Sequence, residues 1–408
     1  MRCLFYFKFF IFGLLCVSFF REKNHDQIFK RIPIRIHVNG TRGKSSVTRL
    51  IHSILVEEGW KVFAKTTGST ASLLFPNRNE SFIFRNKISI KEQKSFLRFA
   101  VNNNAQAIVL ECMAVQPQYQ KDSEELLIRA THGVITNIRP DHWEWTDTED
   151  KILEGFKKTI PNNGIIIYGK HYVSENLKPN WNPSQKSKLN LSLLEAASLK
   201  NTELILAEPE LSKNQIETAF RSIRYPEHYE NVEIAVRVCE KLGVSYQSIL
   251  RGISNVVPDS GALKILEKEI EGKRQRFVFA FAANDVVSFE KILRSDQKEW
   301  NRFDSVILVF NSKRERPFRT IEFGKFLTNF SYLSKIYFFG SWQKLFRSAY
   351  KGNADLTFYK KNIIFDLEEI FSKSNLWIGA GNYQGSGRVW LEKLVADLNV
   401  VEEKDWKP

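Results

Sequence analysis

The run His37-Val38-Asn39-Gly40-Thr41-Arg42-Gly43-Lys44-Ser45-Ser46 has the residue types that a phosphate cradle needs. Gly40 and Gly43 let backbone N–H groups close around phosphate oxygens, with Thr41, Arg42 and Ser46 in the same loop. Lys44 has the reach to neutralise β- and γ-phosphates, and the Ser45 hydroxyl is a Mg²⁺ ligand type. The strict pattern GxxxxGK[ST] asks for glycine where Val38 stands, so a chance Gly-Lys-Ser turn is the alternative. Two further places offer metal ligands. Glu111 closes the apolar run 107–110, and a strand-end carboxylate faces the crevice that holds such a loop. The segment Thr136-Asn137-Ile138-Arg139-Pro140-Asp141-His142 follows another apolar run and offers Asp141 or His142 to a cation or phosphate. Taken singly, a buried Glu paired with Arg, and a surface Asp-His, explain these residues equally well.

Such residues need a sheet to hold them. Residues 34–38 (IRIHV) read as a strand ending at the loop. Val47, Leu50, Ile51, Ile54 and Leu55 then fall on one helical face, closed by Gly59. Strands are predicted at 61–65, 107–110, 133–138, 165–168 and 204–207, and a helix through Val232, Ala235, Val238, Cys239 and Leu242 ends at Gly243. A second block has strands at 277–281, 306–310, 336–339 and 376–379, each followed by a helical stretch. Alternating strands and helices make an α/β protein: a P-loop ATPase domain on a mainly parallel sheet, then a smaller Rossmann-like α/β domain. The turn-rich Pro258-Asp259-Ser260-Gly261 marks the break, so the central domain is placed at 23–258 and the C-terminal domain at 259–408.

The 408 residues include 43% hydrophobic and 26% charged side chains, a globular composition that excludes disorder throughout. The formal charge of +14 favours anionic partners or reflects a lysine-rich surface. Nucleic acid is not among the expected partners, because no RNP-type aromatic motif or zinc finger accompanies the charge. The four cysteines make no CxxC pair, and two of them, Cys3 and Cys16, lie in the N-terminal apolar segment, which argues against zinc and against a disulfide framework. Residues 3–20 carry only Lys8 as a charge, and as a helix they span about 27 Å, near the hydrocarbon thickness of a bilayer. Arg21, Lys23, Lys30, Arg31 and Arg35 follow. A membrane anchor at 1–22 with the catalytic body on the cytoplasmic side is therefore expected: a single-pass protein of the cell membrane. A cleaved signal and a start codon placed too early are the other readings of this segment.

The GT-x-GKSS loop, the strand-end Glu111 and the Thr136-Asn137…Asp141-His142 segment, in that order, resemble the Mur ligase superfamily. Later segments agree. Asn231 before the helix that ends at Gly243 resembles the family's adenine-side asparagine, and Ala280 to Asp285, Asn311 with Arg316-Pro317, and Gly379 to Asn382 with Gly385 resemble its C-terminal loops. Within the superfamily the chain is most similar to the ligase subunits of poly-γ-glutamate synthases, the CapB or PgsB type. The reading GTRGKSS, Thr66-Thr67-Gly68, Pro258 to Leu263 and Phe281 to Asp285 carry that similarity. There are departures. Ala280-Phe281-Ala282-Ala283 replaces the Asp-x-Ala-His of many Mur ligases, Val286 stands for a proline, and Asn311-Ser312-Lys313 stands for Asn-Asn-Arg. Lys157 and Lys158 lie near the position of a carbamylated lysine in some relatives, without the matching local pattern.

The resemblance implies ATP-dependent amide formation through an acyl phosphate, with glutamate and poly-γ-glutamate as substrate and product, and ATP and Mg²⁺ as cofactors. It implies catalytic roles for Lys44, Glu111 and His142, metal contacts by Ser45, Glu111 and His142, and nucleotide contacts by Gly40 through Ser46, Asn231 and Arg316. It also implies small membrane subunits of a capsule-type synthase complex as partners. The competing functions are another Mur-type ligase, acting on folate or a peptide, and a P-loop NTPase switch that hydrolyses nucleotide without forming an amide.

Overall fold

Apolar strand runs and the helices that cover them set the architecture, seen in a computed structural model that describes residues 28–67, 71–83, 89–138, 149–169, 183–223, 225, 227–283, 285–359 and 372–397. The chain separates into two units, one reaching Ser222 and resuming over His228–Val257, the other taking Ile223–Glu227 and everything from Pro258.

The first unit runs β1 (Ile34–Asn39), α1 (Lys44–Glu57), β2 (Val62–Thr66), β3 (Ser72–Leu74), β4 (Glu80–Phe82), α2 (Glu92–Asn102), β5 (Ala107–Glu111) and α3 (Pro117–Asp122). A π-helical turn, Ser123–Ile128, extends α3, and then come β6 (His132–Ile135), α4 (Glu149–Lys157), β7 (Ile165–Tyr168), α5 (Pro183–Leu199), β8 (Glu203–Leu206), α6 (Lys213–Arg221), α7 (Tyr229–Lys241) and α8 (Tyr246–Ser254). Among the described residues its strands form one sheet in the order β4-β3-β2-β5-β1-β6-β7-β8. The pairs from β2 to β8 are parallel, while β3 and β4 add an antiparallel edge. Strand β1 thus lies centrally, and its residues from Ile36 to Asn39 are buried, the polar His37 and Asn39 included.

Helix α1 buries Val47, Leu50, Ile51, Ile54 and Leu55 completely, the face that the sequence spacing predicts. Gly59 (φ 87°) closes it, with the Gly59 and Trp60 amides donating to Val56 and Leu55 carbonyls. Against α1 lies α8, whose Gly252 comes so near that a Cβ there would stand 2.3 Å from the Ile54 Cα. The Ser53 hydroxyl donates to the Gly252 carbonyl at 2.7 Å across that contact. A larger residue at position 252 would push apart the helix that carries the P-loop.

The second unit runs β9 (Lys264–Ile270), β10 (Lys273–Phe279), α9 (Val286–Trp300), β11 (Ser305–Ser312), α10 (Pro317–Thr328), β12 (Lys335–Gly340), α11 (Gln343–Ala349), β13 (Asp355–Tyr359), β14 (Asn375–Gly381) and α12 (Ser386–Asp397). Its sheet order is β13-β12-β11-β14-β10-β9, parallel except for β9. One face is an aromatic core in which Phe310 packs on Phe323, Phe338 and Phe346 with centroids 5.3–5.4 Å apart. On the other, Trp377 stacks between Phe277 and Tyr337.

Four strands of the structure, β3, β4, β9 and β13, are absent from the sequence reading. Strand β9 pairs with β10 through a tight turn at Glu271 (φ 50°) and Gly272 (φ 74°), both in the left-handed region that such hairpins require. The predicted strand 133–138 ends at Ile135 instead: the Thr136 amide makes one more bond, to the Asn39 carbonyl, and the Thr136 and Asn137 side chains then turn to the P-loop. The predicted anchor at 1–22 lies outside the described residues, and among the described residues no helix is long and apolar enough to cross a membrane.

Candidate active site

Strand β1 delivers the P-loop to the carboxyl edge of the sheet, and α1 begins at Lys44. Gly43 (φ 80°) makes the bend between them. A Cβ on Gly43 would stand 2.3 Å from Oδ1 of Asn231, so the Asn231 carboxamide lies directly on the loop. A side chain at position 43 would meet both that carboxamide and a left-handed backbone. Gly43→Ala is therefore expected to destabilise by about 1–2 kcal/mol and to raise the KM for ATP more than it lowers kcat. Thermal melting and initial rates over an ATP series check this, and an unchanged KM would show that the bend tolerates a side chain.

The loop is held from the β6 side. The Thr41 amide donates to the Asn137 carbonyl at 2.9 Å, and the Arg42 amide donates to Asn137 Oδ1 at 3.0 Å. Asn137 Nδ2 and the Thr136 hydroxyl both donate to the Arg42 carbonyl, at 3.0 and 2.5 Å. Asn39 Oδ1 accepts from the Gly40 amide, while its Nδ2 donates to Gln120 and Thr159. These bonds tie the loop conformation to the residues that follow β6 and to Asn39. Sequence reasoning treated Thr136 and Asn137 only as neighbours of Asp141 and His142. Their role follows from the parallel register that sets Asn39 opposite Ile135, which spacing along the chain does not reveal.

Lys44 folds over its own loop, donating from Nζ to the carbonyls of Gly40 (2.7 Å) and Thr41 (3.2 Å). Glu111, 3% exposed, accepts from the Ser45 hydroxyl at 2.9 Å and from the Thr67 amide at 2.6 Å, both through Oε2. The strand-end carboxylate and the P-loop serine are therefore brought together, as the crevice argument expects, and the loop after β2 joins them. This oxygen set suits Mg²⁺, which binds through one or two carboxylates and completes its shell with phosphate oxygens and water. Among the described residues no group of three His, Cys, Asp or Glu side chains forms a larger metal cluster. Asp141 and His142 lie outside the described residues. Lys157 pairs with Glu154 at 2.5 Å on its own helix.

In the second unit the predicted loops also close on each other. Asn311 Nδ2 donates to the Asn382 carbonyl (2.6 Å), and Asn382 Nδ2 returns a bond to the Asn311 carbonyl (3.0 Å). Arg319 Nη1 reaches Asn382 Oδ1 at 2.5 Å. Arg316 caps the start of α10, its amide bonded to the Lys313 carbonyl at 3.1 Å. Phe281, in the segment that resembles a C-terminal-domain loop of the family, turns into the core against Gly379.

A P-loop on a mainly parallel sheet, followed by a second α/β unit, is a fold that the chain shares with solved folylpolyglutamate synthase and MurF structures. Residues 38–237 match the Mur ligase middle domain, and residues 265–397 match the poly-gamma-glutamate synthase CapB C-terminal domain. The chain is 30% identical over 392 residues to PGA synthase CapB of Bacillus subtilis (strain 168), covering 93% of this chain and 95% of that protein. It is 28% identical over 402 residues to the capsule biosynthesis protein CapB of Bacillus anthracis, covering 94% of this chain and 81% of that one. The chain belongs to the CapB family of poly-gamma-glutamate synthases. Among solved structures, a bifunctional folylpolyglutamate synthase/dihydrofolate synthase with Mn, AMPPNP and L-glutamate bound shares the fold at a TM-score of 0.59 and 11% identity, over 93% of each chain. MurF from Acinetobacter baumannii shares it at 0.58 and 14% identity, over 90% of this chain and 76% of that one.

Proposed function

We propose that this chain is an ATP-dependent amide ligase that extends poly-γ-glutamate. The observation that carries the chemistry is Glu111, held between the Ser45 hydroxyl and the Thr67 amide at the mouth of a P-loop. The full-length likeness to CapB proteins supports the substrate. A γ-carboxylate oxygen attacks the γ-phosphorus of ATP, ADP leaves, and an acyl phosphate remains. The amine of the next glutamate attacks the acyl carbon, phosphate leaves with the bonding pair, and the amine gives up a proton. Carboxylate oxygen is too poor a leaving group for the direct reaction, so the phosphoryl transfer supplies the driving force.

The residues act by position and charge. Gly40 through Ser46 direct amides at the phosphates, with Asn231 packed on the bend. Lys44 exchanges its loop carbonyls for phosphate oxygens. Ser45 and Glu111 would hold Mg²⁺, with His142 as a further ligand. Mg²⁺, when bound, offsets phosphate charge. Arg316 is a further nucleotide contact in this proposal. The formal charge of +14 suits a polyanionic product. An anchor at 1–22, a cytoplasmic catalytic body and small membrane subunits complete the proposal.

Hydroxylamine provides the test against a hydrolytic switch. With ATP, Mg²⁺, glutamate and hydroxylamine, together with membrane partners where turnover needs them, glutamyl hydroxamate is the expected product, and γ-linked oligomer forms without the trap. ADP release indifferent to glutamate, with no hydroxamate, would favour the switch.

A further inference from the structure

Asn39, the last residue of β1, is 3% exposed, and both polar atoms of its side chain are engaged. Oδ1 accepts from the Gly40 amide at 2.8 Å. Nδ2 has two hydrogens and meets two acceptors, Gln120 Oε1 at 2.8 Å and Thr159 Oγ1 at 3.1 Å. Gln120, on α3, and Thr159, in the turn after α4, are buried too. Gln120 in turn donates from Nε2 to the Val115 carbonyl at 2.9 Å, and the Thr159 hydroxyl donates to the Phe156 carbonyl at 2.8 Å. Gly155, on α4, leaves the room that the Gln120 amide takes, since a Cβ there would stand 2.8 Å from Nε2.

The ends of this network fix its direction. A carbonyl can only accept and a backbone amide can only donate. With the Val115 and Phe156 carbonyls at one end, Gln120 turns Oε1, and Thr159 a lone pair, towards Asn39. Asn39 then presents Nδ2 to both and Oδ1 to the Gly40 amide, the one orientation that satisfies every member. A buried polar network with all its members satisfied rigidifies what it holds. What it holds here is the first turn of the P-loop. Gly40 has φ 127°, in a region where glycine turns freely and other residues do not. Its carbonyl takes the shorter of the two bonds from Lys44 Nζ to the loop, 2.7 Å against 3.2 Å. Among the described hydrogen bonds none joins Asn39 or Gln120 to Lys44, so their effect on it runs through Gly40.

We propose that Asn39 is a positioning residue for Lys44: anchored by Gln120 and Thr159, its carboxamide holds the Gly40 peptide and so sets the place from which the ammonium reaches the phosphates. This rests on the reading of Lys44 as the residue that neutralises the transferring phosphoryl group. The test measures ATP-dependent turnover of the full chain for Asn39→Ala and Gln120→Met, each in the wild-type and in the Lys44→Ala background, with thermal melting and the KM for ATP beside it. Asn39→Ala is expected to lower kcat about 100-fold, the cost of misplacing a reacting group by about 1 Å, and Gln120→Met about tenfold, since it leaves the Asn39–Gly40 bond in place. The KM for ATP should stay within about threefold in both, because the start of α1 lies outside the network. In the Lys44→Ala background each substitution should lower kcat by less than about twofold, because the residue acted upon is gone. A merely structural role would give the same loss in both backgrounds. Should Asn39→Ala fail to fold, Gln120→Met decides alone. A kcat within about twofold of wild type in either folded variant, or equal losses in the two backgrounds, overturns the proposal even if melting temperatures fall. Wild-type turnover in Lys44→Ala overturns the reading of the lysine itself, and this inference with it.

Discussion

Lys44→Ala is expected to lower ATP-dependent turnover by roughly 10³-fold, the upper range for removing one group that stabilises charge in a transition state. The melting temperature should stay near wild type. In the structure the Lys44 ammonium is only partly buried and bonds two carbonyls of its own loop. The loop does not depend on those bonds, since Thr41 and Arg42 are clamped separately by Thr136 and Asn137. The side chain's reach is what the transferring phosphoryl group needs, and alanine supplies neither charge nor donor. Rates of ADP and hydroxamate formation, measured beside a thermal melt, separate the two effects. Turnover within about tenfold of wild type in a folded Lys44→Ala protein would remove this lysine from the mechanism.

Glu111→Gln is expected to raise the Mg²⁺ concentration for half-maximal rate about tenfold or more and to lower kcat about 100-fold. Glutamine matches the shape, and its amide oxygen still accepts from the Thr67 amide, so the loop after β2 should keep its place. What disappears is the negative charge beside the Ser45 hydroxyl. Glu111 is 3% exposed and its two bonds inside the protein both come from neutral donors. The site therefore holds a carboxylate with no basic side chain bonded to it among the described hydrogen bonds. That is the condition in which a bound cation gains most. A Mg²⁺ titration that superimposes on wild type would make Glu111 a structural carboxylate. It would then leave the Ser45 hydroxyl as the loop's metal contact.

The strongest elements of the first unit were legible because local physics governs them. The α1 face from Val47 to Leu55 follows from spacing alone, and Gly59 and Gly243 stop their helices at left-handed positions that glycine adopts without strain. The parallel strands read well because a strand buried on both faces must be a continuous apolar run. The short edge strands did not read, since β4, with Glu80, Ser81 and Phe82, has no apolar run at all and is held by its neighbour β3. Strand β9, with Lys264, Glu267, Lys268 and Glu269 among its apolar residues, has the charged surface of a sheet edge, and only the Glu271-Gly272 turn hints at its hairpin with β10.

What the sequence by itself determined is the chemistry available. Glycines at a strand-to-helix bend, a lysine and serine at the helix start, and a carboxylate ending a neighbouring run can do little else in combination than hold a phosphate and its cation. What only the tertiary structure decided is which of the plausible partners meet. Whether Glu111 faces an arginine or the P-loop depends on β5 pairing with β1 in the register Val38 to Glu111, 73 residues apart in the chain. Whether Asn137 is a ligand or a clamp depends on β6 pairing with the other side of β1. The pairing of His37 with Glu124 depends on both the sheet and the π-helical turn. Each is a contact between groups distant in sequence, set by the entropy and packing of the whole sheet. No local pattern of residue types encodes such a contact, so it becomes visible only when the strands are laid side by side.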